Sequence, residues 1–384
     1  MILNSLPTPT WNRLKMNYAE LGSPRGALDV WTAERALISR PACISVQRRS
    51  GSKDELVYIK YTDDEGRATG EELPIPTGCG EEVSAFLDEV SPEIIRITAE
   101  NGTRSPEPCK LKFCFADNKV SISRLVISAP KDSEITVIMN LEEAEYGLSK
   151  GISKGKAGGD GTAIIQTLIE AAEGARVHLV QVQTFGRGFD FINDIGAKVD
   201  KDAKFDLIQL VLGGGKTYMG CHTENFGKRA ELEANIGYLI RGNEHLDMNY
   251  NARHTGAKSV SSLNANGVLR ENGFKIFRGT IDFVRGAKEA AGAEKEDVLL
   301  MDDDVVNQTI PLILCNEEDV EGSHGATIGQ IDEETILYMK SRGISEEKIY
   351  ELIANARIDA ICNLISDRET KCDIRRYLYG EYEE

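Results

Sequence analysis

His324 stands in the run Gly322-Ser323-His324-Gly325 and is one of only five histidines in the chain. Imidazole is the commonest protein metal ligand and titrates near neutrality, so a histidine at what reads as a glycine-flanked corner is a candidate donor. No companion ligand stands in the same run. The residue is therefore either a corner histidine that binds backbone carbonyls, or a donor to a site that another chain completes. Three consecutive acids, Asp302, Asp303 and Asp304, offer a second kind of chemistry, the paired carboxyls of a glycosidase or lyase. Such chemistry needs two carboxyls about 5–10 Å apart across a cleft, one with a raised pKa. Placed in a linker ahead of Pro311, the three acids read as a solvated loop.

Other chemistry-bearing runs are incomplete. LGGGKTYMG, residues 212–220, resembles a phosphate loop, but the pattern requires glycine where Leu210 stands. Lys216 then reads as a basic residue beside a tight corner. GKAGGDGTA, residues 155–163, does not complete G-x-G-x-x-G and reads as a flexible loop. The eight cysteines (Cys43, Cys79, Cys109, Cys114, Cys221, Cys315, Cys362, Cys372) are scattered without a C-x-x-C. Zinc ribbons and ferredoxin-type sites need tighter, repeated spacing. Free buried thiols in a reducing compartment, and no permanent metal site, are expected.

The elements that carry these residues begin with composition. A chain of 384 residues is long for one core, so two or three units are expected. A formal charge of −17 argues against a chain that wraps nucleic acid or sits on an anionic membrane, since both need clustered Lys and Arg. No run reaches the roughly 20 apolar residues of a membrane span. The opening MILNSLPTPTWNRLKMN lacks the basic flank and apolar stretch of a signal peptide, which predicts a cytoplasmic protein.

Residues 1–105 read as a mixed N-terminal domain. TWNRLKMNYAEL and PTGCGEEVSAFLDEVSP have helical character, and a hairpin turns at Asp63-Asp64-Glu65-Gly66. Pro106 and Pro108 mark the boundary. From Lys110 the apolar period becomes two, as in Leu111, Phe113 and Phe115, or Leu232, Ala234, Ile236, Tyr238 and Ile240. Ala175, Ala203, Ala230 and Ala257 recur at intervals of 28, 27 and 27 residues, each before a charge and a strand-like run. A large antiparallel sandwich alternates similarly but has no reason to keep that period. The spacing predicts a β-solenoid over residues 106–322, with Gly242, Gly256 and Gly273 at corners. Residues 323–384 read as a C-terminal helical domain. Asp332 caps a helix that ends at Gly343, and Ser345 caps a second. The stripe of that second helix is Ile349, Leu352, Ile353, Ala356, Ala360, Ile361 and Leu364.

The runs GFKIFRGTIDFVRGAKEAAGAEKEDVLLM (273–301) and NQTIPLILCNEEDVEGSHGATIGQIDEETILYMKSRGISEE (307–347) resemble the SufB/SufD family of the SUF iron–sulfur cluster assembly machinery. The opening PTPTWNRLKMN is also similar to the start of many SufD-like chains. The resemblance implies a mainly β chain: a right-handed parallel β-helix flanked by an N-terminal α/β segment and a C-terminal helical domain. It implies a non-enzymatic scaffold that pairs with a SufB-type partner through the β-helices. The C-terminal helices would dock a SufC-type ABC ATPase, and that partner would hydrolyse ATP. Ile336, Leu337, Tyr338 and Arg342, with the stripe of the second helix, are the docking candidates.

SufB chains carry a cysteine shortly before the LLM-like segment and a His-Glu pair at the corner. Here EKEDV precedes Leu299, and the corner reads Ser323-His324-Gly325-Ala326, which is SufD-like. The resemblance therefore makes His324 the candidate ligand of a transient iron–sulfur cluster shared with the partner, with no cofactor permanently bound. Some SufD chains place a cysteine where Gly322 stands, so no role of that thiol carries over, and Cys315 reads as a core thiol. A cluster assembled for transfer is better held by few ligands at a labile interface than in a closed four-cysteine cage. Two alternatives stay open: a homodimer doing the work of both SufB and SufD, and a β-helix carbohydrate-active enzyme using Asp302–Asp304.

Overall fold

The computed structural model describes residues 1–10, 12–22, 24, 26–62, 68–105, 107–143 and 160–379. Two long sheets run the length of the chain, one 10-stranded and one 9-stranded, and consecutive strands alternate between them. From Ile94–Ala99 to Ala290–Leu300 each strand pairs in parallel with the strand two steps later, as in Lys204–Val211 with Glu231–Ile240 and Lys216–Asn225 with His245–His254. That order is a parallel β-solenoid with an apolar lumen between the sheets.

The alanine repeat marks one row of corners, with a different fourth member. Ala175, Ala203 and Ala230 are buried at the start of strands in one stack. Ser259 occupies the next equivalent position instead of Ala257, because Glu231 pairs with Val260. One residue before each small residue the backbone turns left-handed, at Gly174, Asp202, Arg229 and Lys258. The small buried side chain then packs under the corner, a requirement of shape that serine meets as well as alanine. Gly242 also takes positive φ at a corner of the opposite row. Gly256 does not; it is needed because a Cβ there would collide with the Gly227 carbonyl of the coil beneath.

The two ends differ. At the N-terminal end, Ile44–Arg49 and Leu37–Ser39 add antiparallel to the first strand of each sheet. Trp31 plugs the lumen there, with its ring 5.3 Å from that of Phe113. At the other end Val306–Cys315 and Val320–Gln330 are the terminal strands of their sheets, with no strand beyond them among the described residues. Pro311 is tolerated in the former because it is an edge strand.

The segment 12–21 is not a helix. It holds a three-residue 3-10 turn, Asn12–Leu14, and a short strand, Ala19–Glu20. Tertiary contacts override its helical pattern: Leu6 and Met16 pack on Ile276 and Ile310, and the buried Arg278 donates to the Met16 carbonyl. The helix Glu81–Val90 forms as its pattern predicts. Strands Tyr58–Thr62 and Ala68–Pro74 pair antiparallel, and the Asp63–Gly66 turn between them lies outside the described residues, as do Pro106 and residues 155–159.

Three helices close the chain, Glu333–Ser341, Glu346–Cys362 and Arg368–Tyr379. The second lies across the outer face of the 9-stranded sheet and buries Ala354, Ile358, Ile361 and Cys362 against Leu210, Leu239 and Val268. Its buried face is rotated from the expected stripe, and Ala356, Ala360 and Leu364 face solvent. No helix among the described residues is long and apolar enough to cross a membrane.

Candidate functional site

His324 is not at a corner. The corner is the acidic turn at residues 316–319, and His324 sits in the middle of the last strand, Val320–Gln330. Glycine within that strand has a packing reason: a Cβ on Gly322 would press on the Phe283 ring at 3.2 Å. The strand also continues past residue 322, the expected end of the solenoid, into what had read as helical domain.

Parallel register fixes which way the histidine points. His324 pairs with Glu294, and Ala326 with Glu296. On the strand Ala290–Leu300, Gly292, Glu294, Glu296 and Val298 are buried while Ala293 and Lys295 are exposed. Paired residues of parallel strands share a face, so His324 lies on the lumen side of the last coil. It is exposed because nothing among the described residues stacks on that coil. The same holds for Cys315, which pairs with Phe283 and is an exposed thiol at this end, not a core thiol.

Directly beneath lies a buried polar cluster. Lys275 forms an ion pair with Glu296, and both side chains are almost wholly buried. Thr309 donates to Glu296 Oε2 at 2.5 Å and accepts from Lys275 Nζ at 3.2 Å, while the Tyr238 hydroxyl lies 3.4 Å from Glu296 Oε1. Burial pulls Lys275 below the usual lysine pKa, against the attraction of Glu296. Glu294 is pushed up to about 8, chiefly by burial and then by the neighbouring Glu296. Its carboxylate occupies the space a Cβ would fill at Gly279 on the facing strand. Sequence reading missed Lys275, Glu294, Glu296 and Thr309. The signal was present: Glu294 and Glu296 fall on the apolar parity of their strand, where a charge has no place without a partner or a task.

The docking candidates lie apart from His324, beyond the end of its strand. No residue of the helix Glu333–Ser341 is buried; Leu337 is 70% exposed and Tyr338 60%, with the Arg342 guanidinium 5.2 Å above the Tyr338 ring. Ile336 and Leu337 line an open cavity of about 690 Å³ together with Leu300, Met301, Ile331 and Tyr350. Asp302 and Asp303 sit on the rim of that cavity, where Asp302 accepts from the Glu271 N–H at 2.6 Å. The helix start depends on Asp332, whose carboxylate accepts from the Thr335 N–H at 3.1 Å. Asp332→Ala is expected to weaken this helix by about 1 kcal/mol. Faster amide exchange at residues 335–337, with the solenoid unchanged, checks it.

What the end can do chemically follows from these facts. Two edge strands offer backbone pairing to another chain, and a lumen-facing imidazole and thiol, above the already buried acidic cluster, would become buried once that chain stacks on. Comparison with known proteins agrees in class. Residues 113–357 match the family described as SUF system FeS cluster assembly, SufBD core domain. A segment of 188 residues, 49% of this chain, is 30% identical to an iron–sulfur cluster assembly SufBD family protein of Pyrococcus horikoshii and covers 42% of it. The iron–sulfur cluster assembly protein SufD of Bacillus subtilis is 24% identical over 173 residues, 45% of this chain and 40% of its own length. SufB of the same organism is 28% identical over 162 residues, 42% of this chain and 34% of its own length. The matches thus span about two fifths or less of these relatives.

Proposed function

This chain belongs to the SufBD family of the SUF iron–sulfur cluster assembly system, and from that premise we propose that it is a SufD-like scaffold subunit without catalytic chemistry of its own. In this reading a SufB-type chain stacks on the open end of the solenoid, and a nascent cluster, as cargo, forms between the two with His324 as this chain's ligand. A SufC-type ATPase docks on the helix Glu333–Ser341 through Leu337 and Tyr338, beside the cavity that Ile336 lines, and supplies the ATP hydrolysis. The observation that carries the reading is the asymmetry of the ends: one sealed by antiparallel strands and Trp31, the other with bare parallel edges around an exposed lumen histidine. A lumen-facing histidine is of no use to a solenoid whose end stays open to water.

The test is reconstitution with the ATPase and the SufB-type chain of the same organism. His324→Ala is expected to abolish cluster assembly on the complex, read by visible absorption, while the three chains still co-elute. Tyr338→Asp is expected to weaken co-elution of the ATPase alone. Wild-type rates of cluster assembly in His324→Ala remove the ligand role. Failure of the wild-type chain to associate with either partner removes the scaffold reading.

A further inference from the structure

Among the described residues, every buried acid but one has at least one hydrogen-bond or ion-pair partner. Glu296 has Lys275 and Thr309, Glu224 has His222, Asp247 has Asn4 and Arg278, and Asp194 accepts from the Cys79 N–H and from Gln166. Glu294 is 5% exposed and, among the described residues, has neither a hydrogen bond nor an ion pair. A buried carboxyl left without a partner is costly to desolvate, so its presence on the lumen face points to a use. Its position supplies one. The carboxylate reaches into the lumen over Gly279, in the last coil that another coil covers, and its register partner on the bare coil above is His324.

Adjacent strands lie about 4.8 Å apart, and side chains from paired positions on one face can converge on one ion with donor bonds of about 2.0–2.2 Å. We propose that Glu294 and His324 together form a two-donor half-site for a first-row divalent cation, ferrous iron as cargo, which the partner chain completes. The inference rests on the scaffold reading above and deepens it, since it assigns this chain a place for iron before any cluster exists. The donor set argues for the metal class. One carboxylate and one imidazole suit divalent iron, cobalt or zinc, whereas calcium and magnesium take all-oxygen shells and cuprous ions prefer thiolate. Among the described residues no three donor side chains converge, which is why the site is a half and not a whole.

Anaerobic titration of the full-length chain with cobalt(II), followed by its d–d absorption, tests the proposal. A saturable one-ion signal is expected, and ferrous iron should displace it in competition. Glu294→Gln keeps size and shape, and His324→Ala alters an exposed residue, so urea unfolding can verify that both variants fold. Each is expected to weaken cobalt binding tenfold or more, at least what losing a supporting group costs. The double variant should bind no more tightly than either single one. Absence of a saturable signal, or Glu294→Gln binding like wild type, overturns the half-site. Either result in a chain that still assembles with the ATPase and the SufB-type partner overturns the half-site alone. Loss of that assembly in the wild type is instead the failure of the scaffold reading.

Discussion

Lys275→Met removes about 3–5 kcal/mol of stability from the coils at the open end. The methionine fills the space of the lysine stem, so little packing is lost. What changes is electrostatic: Glu296, almost wholly buried, loses its cationic partner Lys275, and Glu294 stands near it as a second acid. Breaking a buried pair from one side leaves a charge with no compensation, which costs far more than the pair contributed. In a solenoid each coil contacts only its neighbours, so the loss is local. Amide exchange should accelerate in strands Phe274–Phe283, Ala290–Leu300 and Val306–Cys315 while Glu134–Glu143 keeps its protection. Adding Glu296→Leu should recover most of the loss, since both charges are then gone. The remaining deficit, about 1–2 kcal/mol, belongs to the Thr309 and Tyr238 hydroxyls, which lose their acceptor. Unchanged exchange in Lys275→Met would mean that the lysine is buried without holding anything.

The solenoid was legible because it repeats. Alternating apolar residues and a near-constant coil length are local signals, and every coil restates them. The ends were less legible because each occurs once. TWNRLKMNYAEL has the composition of a helix, yet Met16 is worth more against Ile276 and Ile310 than in a helical turn, and Lys15 takes positive φ there. A sequence window of a dozen residues cannot see a partner 260 positions away. His324 was found by its rarity and its surroundings, but its glycines were read as a corner. Gly322 serves instead to admit the Phe283 ring against a strand.

The acids of the site show the opposite case. In GAEKED the alternation of charge looks like a solvated strand, since Glu294, Lys295, Glu296 and Asp297 are all polar. Only the parity with Val298 and Gly292 reveals that two of the four point inward, and that parity is easy to discount when the residues are charged. Lys275 was hidden in the same way, inside a run of apolar neighbours where one lysine reads as a surface residue. Buried charge on the lumen parity is therefore the sequence signal to seek at the last coils of such a chain. It marks where the core stops being apolar and the end begins.

Glu244→Gln is expected to flatten the fall in stability toward alkaline pH by about 3 kcal/mol. Glu244 lies at the corner before the strand His245–His254, nearly buried, and burial pushes its pKa up to about 7 from the usual 4.5. Arg241, whose N–H donates to the carboxylate at 2.8 Å, and Arg187, with Nε at 3.6 Å, oppose the shift without cancelling it. The sign follows from which state holds the proton. Because the folded pKa is the higher one, the folded chain binds the proton more tightly, and that stabilisation is complete below pH 4.5. It is lost as pH rises through about 7, where the folded protein must also ionise a desolvated carboxyl. Glutamine has no proton to lose and still accepts from the Arg241 N–H. The variant should match wild type in urea unfolding near pH 4, exceed it above pH 7, and hold the difference constant beyond pH 8. A difference already present in acid would assign the effect to packing at the corner. No difference at any pH would show that the two arginines hold the carboxylate ionised in the folded chain, and that burial there is overcome.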